Sequence, residues 1–261
     1  MLEKVCAAVR AAGEIILEAK RYAGDGMAKV GDRNYVTEYD VRVQNALEKS
    51  LAEILPEASF FGEENDAQTV GKTMWIVDPI DGTSNFIHDL HASAISVALA
   101  DSEANRVDLA VIYDPYANEL FVAERGKGAW LNGVPMHVSD RAYDHALIGF
   151  GTTPYDRTLA NETMALVGAA YTESLDIRRS GSAAIDLAYL AAGRLDGFFE
   201  FRLQPWDYAV GALLIEEAGG IATRFNGEPL DLIRPSSVLT GNPAVYAHLA
   251  ELSAPYRTLV Y

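Results

Sequence analysis

The hydrophobic pattern opens on a helical period. Leu2, Val5, Cys6, Val9, Ala12, Ile16 and Ala19 recur at spacings near 3.6 residues and predict an amphipathic helix over 2–22. The stretch from Gly24 to Gly31 then reads as a glycine-punctuated loop or hairpin carrying Lys29. A second helical pattern passes through Val43, Leu47, Leu51, Ile54 and Leu55 and stops at Pro56. Thr37 and Asp40 precede it at capping-box spacing, so helix capping alone would account for Asp40. Residues 59–62 form a short apolar strand running into Glu63 and Glu64, and 74–77 a buried strand rich in β-formers. A further buried strand is expected over 92–100. Strands over 107–113 and 119–124 flank 114–118 as a hairpin, and 126–133 reads as turn plus short strand. The glycines there lack the strand–helix context of a dinucleotide fingerprint.

The second half alternates more cleanly. Strands are predicted over 146–150, 174–177, 195–201, 221–225 and 238–240. Helices are predicted over 157–171, 183–193, 206–219 and 243–252. A strand meander followed by strand–helix alternation predicts an α/β chain of the α+β type. No Pro/Ser-rich linker, repeat or low-complexity segment interrupts it. Two halves, about 1–140 and 141–261, are therefore expected to pack as one unit, the first carrying most of the candidate metal ligands.

The chemistry concentrates where the 74–77 strand ends. It delivers Asp78 and Asp81 around a proline, breaks at Gly82, and continues with Thr83, Ser84 and Asn85, residue types that start helices or turns. An Asp-rich turn would explain Asp-Pro by itself. Two acids, a glycine and a threonine within six residues closing an apolar strand fit something more. Carboxylate oxygens suit Mg²⁺, and backbone N–H groups at a helix start suit phosphate.

Composition narrows the partners. The 261 residues are 49% hydrophobic and carry a formal net charge of −16. Such a surface repels nucleic-acid phosphates and anionic lipids, so neither direct nucleic acid nor a membrane is an expected partner. No apolar run approaches the roughly 20 residues of a membrane span. The first residues, Met-Leu-Glu-Lys-Val-Cys, show no basic stretch leading an apolar one, and Cys6 is the only cysteine. Both fit a cytoplasmic protein, with Cys6 in the core. An acidic protein that handles phosphate with few basic residues near its motifs would rely on bound divalent metal.

Five separated acids compete for that role: Asp40, Glu63, Asp78, Asp81 and Asp207. Each has a simpler explanation alone; Asp207, after Pro205-Trp206, would suit any helix N-terminus. Together they resemble the inositol monophosphatase family, within the lithium-sensitive, magnesium-dependent sugar-phosphatase superfamily. The resemblance is carried by Gly62-Glu63-Glu64, by Trp75-x-x-Asp78-Pro-Ile-Asp81-Gly-Thr83-x-Asn-Phe86, and by Pro205-Trp206-Asp207-x-Ala-x-Gly with Glu217-Ala-Gly-Gly220. Val36-Thr37-x-x-Asp40 and Arg179-Ser-Gly-Ser-Ala-Ala184 also match.

The resemblance implies a layered α-β-α-β-α sandwich, a homodimer, and a site between the halves. It implies two to three Mg²⁺ ions and inhibition by Li⁺. Glu63, Asp78 and the Ile80 carbonyl would hold the first ion, Asp78, Asp81 and Asp207 the second, and Glu63 would help hold a third, with Lys29 in a loop nearby. Water would attack phosphorus in line, oriented and deprotonated by Thr83 with Glu63 or Asp40, and no phosphoenzyme would form. The N–H groups of Gly82 and Thr83 would hold phosphate oxygens. Asp81, the Ala183 backbone, Glu200 and Asp207 would contact the alcohol of the substrate, a sugar or polyol phosphate. Glu200 ends a predicted strand, where a solvated acid would be unremarkable.

Position 84 is Ser where inositol monophosphatases usually have Thr, a change that keeps the hydroxyl. Histidinol-phosphate phosphatases and bisphosphate nucleotidases tend to place a basic residue directly after Asp-Gly-Thr. Ser84-Asn85-Phe86 stands here instead, which favours inositol 1-phosphate as substrate. The alternatives are a fructose-1,6-bisphosphatase or broad sugar-phosphate phosphatase on the same site, and a regulatory binding protein of the transcription machinery.

Overall fold

Two amphipathic helices lead the chain, and their apolar stripes set the first layer. In the computed structural model, which describes residues 1–19, 27–28, 35–65 and 70–259, α1 (Leu2–Glu18) buries Val5, Val9, Ala12 and Ile16. The helix stops four residues short of the expected 22, because the backbone turns extended at Ala19 with ψ 97°. Cys6 packs at the margin of this core and is half-buried, less enclosed than its place in the helical period suggests. A two-stranded antiparallel ladder pairs β1 (Met27–Ala28), inside the glycine-punctuated stretch, with β2 (Tyr35–Val36) beyond it. Lys29 lies outside the described residues. The next helix, α2 (Glu38–Ile54), starts from the capping box at Thr37 and packs on α1.

The first sheet follows in chain order. It comprises β3 (Ser59–Gly62), β4 (Thr73–Asp81), β5 (Ala94–Asp101), β6 (Arg106–Asp114), β7 (Glu119–Glu124), β8 (Gly128–Leu131) and β9 (Val134–Pro135). Only the β3–β4 pair is parallel. A short helix, α3 (Thr83–Ile87), leaves the end of β4 directly. Alternation divides the sheet's faces. Trp75, Val77, Ile95, Val97, Leu109 and Val111 meet α1 and α2; Met74, Ile76, Ala98, Ala110, Ile112 and Phe121 face inward.

The second half adds β10 (Leu147–Phe150), α4 (Ala160–Glu173), β11 (Asp176–Arg178), α5 (Ala183–Ala191) and β12 (Gly197–Leu203). It ends with α6 (Pro205–Glu217), β13 (Ile221–Thr223), β14 (Ser236–Gly241) and α7 (Pro243–Leu252). Its sheet runs in the order β11-β10-β12-β14-β13. Phe198, Leu203 and Val238 share one core with α5, α6 and the inner face of the first sheet. Ile148, Phe199, Phe201 and Leu239 pack outward under α4 and α7. The layers are therefore α-β-α-β-α. Both middle helices bury residues around most of their circumference, as helices covered by a sheet on each side must.

One irregularity decides where the chemistry lies. In a regular strand, residues three apart point to opposite faces. Asp78 pairs with Ser96 but Asp81 with Ala94, so β4 carries an extra residue between them. This bulge turns both carboxylates toward the middle layer while Ile80 packs on the outer one.

Candidate active site

The site gathers at the end of β4, where α3, α5 and α6 all begin. Asp78, Asp81 and Asp207 are buried, and each offers a carboxylate oxygen within 4.8 Å of the others. Asp207 arrives from the far side of the middle layer. Pro205 fits the first turn of α6, and the Gln204 N–H donates to Asp207 Oδ2 at 2.7 Å, so capping and placement are one act. The start of α6 is tied to the first sheet, because Ser96 Oγ donates to the Trp206 carbonyl at 3.2 Å and Phe61 packs on the Trp206 ring.

Asp81 sits at the N-terminus of α5, where the Ser182 hydroxyl and the Ala184 N–H (2.7 Å) donate to Oδ2. Ser182 also caps α5, accepting from the Ile185 N–H at 3.2 Å. Asp78 Oδ1 accepts the Ile80 N–H at 3.0 Å, a local turn that the bulge makes possible. Glu63 follows from register. Gly62 is level with Val77 in a parallel pair, and the Glu63 N–H donates to the Val77 carbonyl at 3.0 Å. Its carboxylate lines the same pocket, outside the tight triad.

Asp40 serves two elements. Its Oδ2 accepts the Thr37 N–H at 2.7 Å and the Thr37 hydroxyl at 2.6 Å, which starts α2. Its Oδ1 lies 3.2 Å from Thr83 Oγ1, which is also 3.1 Å from the Ile80 carbonyl. Capping and a site role are thus compatible. Gly82 holds φ 87°, and a Cβ there would meet the Ala92 carbonyl at 3.0 Å. Only glycine turns the chain from β4 into α3 without strain.

Electrostatics follow from crowding acids in a buried space. Burial, with the Glu63 charge added, pushes Asp81 up to about 6 despite its hydrogen bonds from Ser182 and Ala184. Burial and then the Asp81 and Glu63 charges hold Asp207 well above the usual carboxylate range. Glu200 is buried in the body of β12, not solvated at a strand end; its pKa is pushed up by burial to about 7. Asp186 rises by burial to about 7 as well, hydrogen bonding to Ser180 offsetting only part of it. Such a donor set is costly as bare anions and suits a hard divalent cation.

The pocket thus brings together Glu63, Asp78, Ile80, Asp81, Gly82, Thr83, Ala183, Glu200 and Asp207, with Asp40 behind Thr83. Sequence reasoning missed several neighbours. Asn85 donates to the carbonyls of Ala92 (2.7 Å) and Ser180 (3.0 Å), joining the two halves beside the site. Ser182 stands in the Arg179–Ala184 motif, but its bond to Asp81 carried no sequence signal. Asp186, Thr153 and Tyr155 carried no local signal, since long-range folding alone places them.

Comparison with known proteins agrees with this geometry. A sequence model of the inositol monophosphatase family matches residues 1–257. The inositol-1-monophosphatase of Rhizobium meliloti is 40% identical over 227 residues, spanning 85% of this chain and 84% of the relative. The Nus factor SuhB of Salmonella typhimurium is 38% identical over 251 residues, 94% and 92% of the two chains. An IMPase structure from Thermotoga maritima superposes with a TM-score of 0.87 at 29% identity, covering 95% and 94%.

Proposed function

The chain belongs to the inositol monophosphatase family, and on that premise we propose that it hydrolyses the phosphate monoester of a polyol or sugar, inositol 1-phosphate first, with Mg²⁺. The observation that carries this reading is the buried triad Asp78, Asp81 and Asp207 beside the Thr83–Asp40 pair. The donor set fits the metal on which the family depends: oxygen ligands only, mutually repelling and held at raised pKa until a cation compensates them.

Glu63, Asp78 and the Ile80 carbonyl would hold one ion, and Asp78, Asp81 and Asp207 a second, with Glu63 shared toward a third. Bound Mg²⁺ would neutralise phosphate charge, lower the pKa of the attacking water and stabilise the leaving alkoxide. Thr83 orients that water. When its hydroxyl donates to Asp40, its lone pairs can accept a hydrogen bond from that water. Glu63, at the edge of the triad, would be the base that takes the proton the water loses as it attacks phosphorus. The N–H groups at Gly82 and Thr83 suit phosphate oxygens. The Gly82 N–H also reaches the Asp81 carboxylate, so Thr83 is the freer donor. Asp81, Glu200 and the Ala183 backbone are left for the alcohol.

The test is phosphate release from inositol 1-phosphate, fructose 1,6-bisphosphate, histidinol phosphate and 3′-phosphoadenosine 5′-phosphate, with and without Mg²⁺ and with added LiCl. Mg²⁺-dependent release led by inositol 1-phosphate supports the reading; full activity in EDTA sinks it. The relative named a Nus factor supports a second reading, a regulatory role in transcription. Rescue of a deletion phenotype by Asp81→Asn, with turnover gone, would favour that role over catalysis.

A further inference from the structure

Beyond the metal triad, the pocket is walled by one loop with an unusual seating. From β10 the chain crosses Gly151 to Thr158 along the end of β12. The Gly151 N–H donates to the Phe199 carbonyl at 3.1 Å. Thr153 adopts φ 43°, costly for a β-branched residue. It is held there because its N–H donates to Glu200 Oε1 at 2.7 Å, while its hydroxyl lies 3.2 Å from the Arg202 carbonyl. Glu200 Oε2 fills the space a side chain at 151 would need, since a Cβ on Gly151 would stand 1.7 Å from it. Three residues on, Asp156 accepts from Arg202 Nη1 at 3.2 Å and from the Thr158 N–H at 3.0 Å.

Between these two anchors stands Tyr155. The residue is 56% exposed, yet it lines the pocket together with Phe150 and Pro154. The same pocket is lined by Asp81, Asp186, Glu200 and Asp207, so one aromatic side chain shares its lining with four carboxyl groups. That pairing is the chemistry that receives a compact polyol, with apolar ring edges on the phenol and hydroxyls donating to the acids.

We propose that Tyr155 is a substrate-contacting residue that sets the preference for ring-sized polyol esters. The inference rests on the phosphatase reading and deepens it. The phosphate end of every ester meets the triad and Thr83 alike, so Tyr155 acts on the alcohol alone.

The experiment compares wild type, Tyr155→Phe and Tyr155→Ala on inositol 1-phosphate and on the smaller glycerol 2-phosphate. Tyr155→Ala should raise KM for inositol 1-phosphate about tenfold with kcat nearly unchanged, Tyr155→Phe about threefold, and neither should move glycerol 2-phosphate by more than about twofold. Equal effects on both esters, or none, overturn the role of Tyr155 while the phosphatase reading stands. If wild type releases no phosphate from either ester, the phosphatase reading fails. Calorimetric binding of inositol 1-phosphate then decides the contact separately. Weaker binding by Tyr155→Ala supports it, and equal or absent binding overturns it.

Discussion

Thr83 Oγ1 lies 3.2 Å from Asp40 Oδ1, across a sequence separation of 43 residues, while the other oxygen of Asp40 caps α2. One carboxylate thus fixes the start of a structural helix and the orientation of a hydroxyl in the pocket. The Thr83 hydroxyl has a single proton and two acceptors in reach, Asp40 and the Ile80 carbonyl. Its lone pairs are consequently available to the pocket. The α2 cap and the candidate reaction use the two oxygens of one carboxylate.

This arrangement separates turnover from stability. Thr83→Val keeps the side chain's shape but removes the hydroxyl, and should lower kcat by at least about 100-fold. The folded state should lose only about 1 kcal/mol. Thr83→Ser should retain most of the activity. Phosphate release and urea denaturation of the same three proteins check both halves, and parallel losses of activity and stability would show the hydroxyl to be structural only.

Asn85 gives a different signature. It is buried, and its amide donates to Ala92 in the first half and to Ser180 in the second. Asn85→Ala leaves two carbonyls with a lost donor beside the pocket, and should destabilise the fold by about 2–3 kcal/mol. Asn85→Asp should be at least as damaging, since it sets a carboxylate against those carbonyls. Urea midpoints measure this directly; a change under about 0.5 kcal/mol would mean that water replaces the amide without cost.

Much of this was legible in the sequence, and the reasons differ by feature. Strand and helix positions followed from period, because each face of each layer meets a core; α7 spans the 243–252 that its pattern predicts. Ends were less legible. β4 runs on through Pro79 to Asp81, since a bulge accommodates a residue that propensity alone would exclude. The candidate metal ligands were legible through family motifs, whereas composition left each acid with a local explanation. Glu200 exposes the limit. Its strand was predicted, but its burial and its grip on Thr153 depend on a loop from β10 that no local pattern connects to it.

Gly82→Ala tests the turn between β4 and α3. At φ 87° an alanine is strained, and its Cβ would also press on the Ala92 carbonyl at 3.0 Å and the Ser182 Cβ at 3.2 Å. Loss of stability of about 1–3 kcal/mol is expected, with KM for phosphate esters raised as the N-terminus of α3 shifts. Thermal midpoints with and without inorganic phosphate would reveal both effects. An unchanged midpoint would show that the backbone relaxes to another turn.

The last prediction concerns pH and metal together. The folded pKa of Asp81 is raised by burial from an ordinary 3.8 to about 6, and burial holds Asp207 well above the usual carboxylate range as well. A raised folded pKa means that the native state holds protons which the unfolded chain has released. The associated stability is fully present below pH about 4, where both states are protonated, and is lost as pH rises through about 6. In EDTA the chain should therefore lose on the order of 2 kcal/mol between pH 5 and 7.5, and Asp81→Asn should flatten part of that fall. At the proposed site Mg²⁺ would bind the ionised carboxylates, so its stabilising effect should run the opposite way, small at pH 5 and growing through pH 7. Urea denaturation across this range, in EDTA and in Mg²⁺, measures the two curves. If they ran parallel, metal binding would not be displacing protons from these acids, and the triad would not be the metal site.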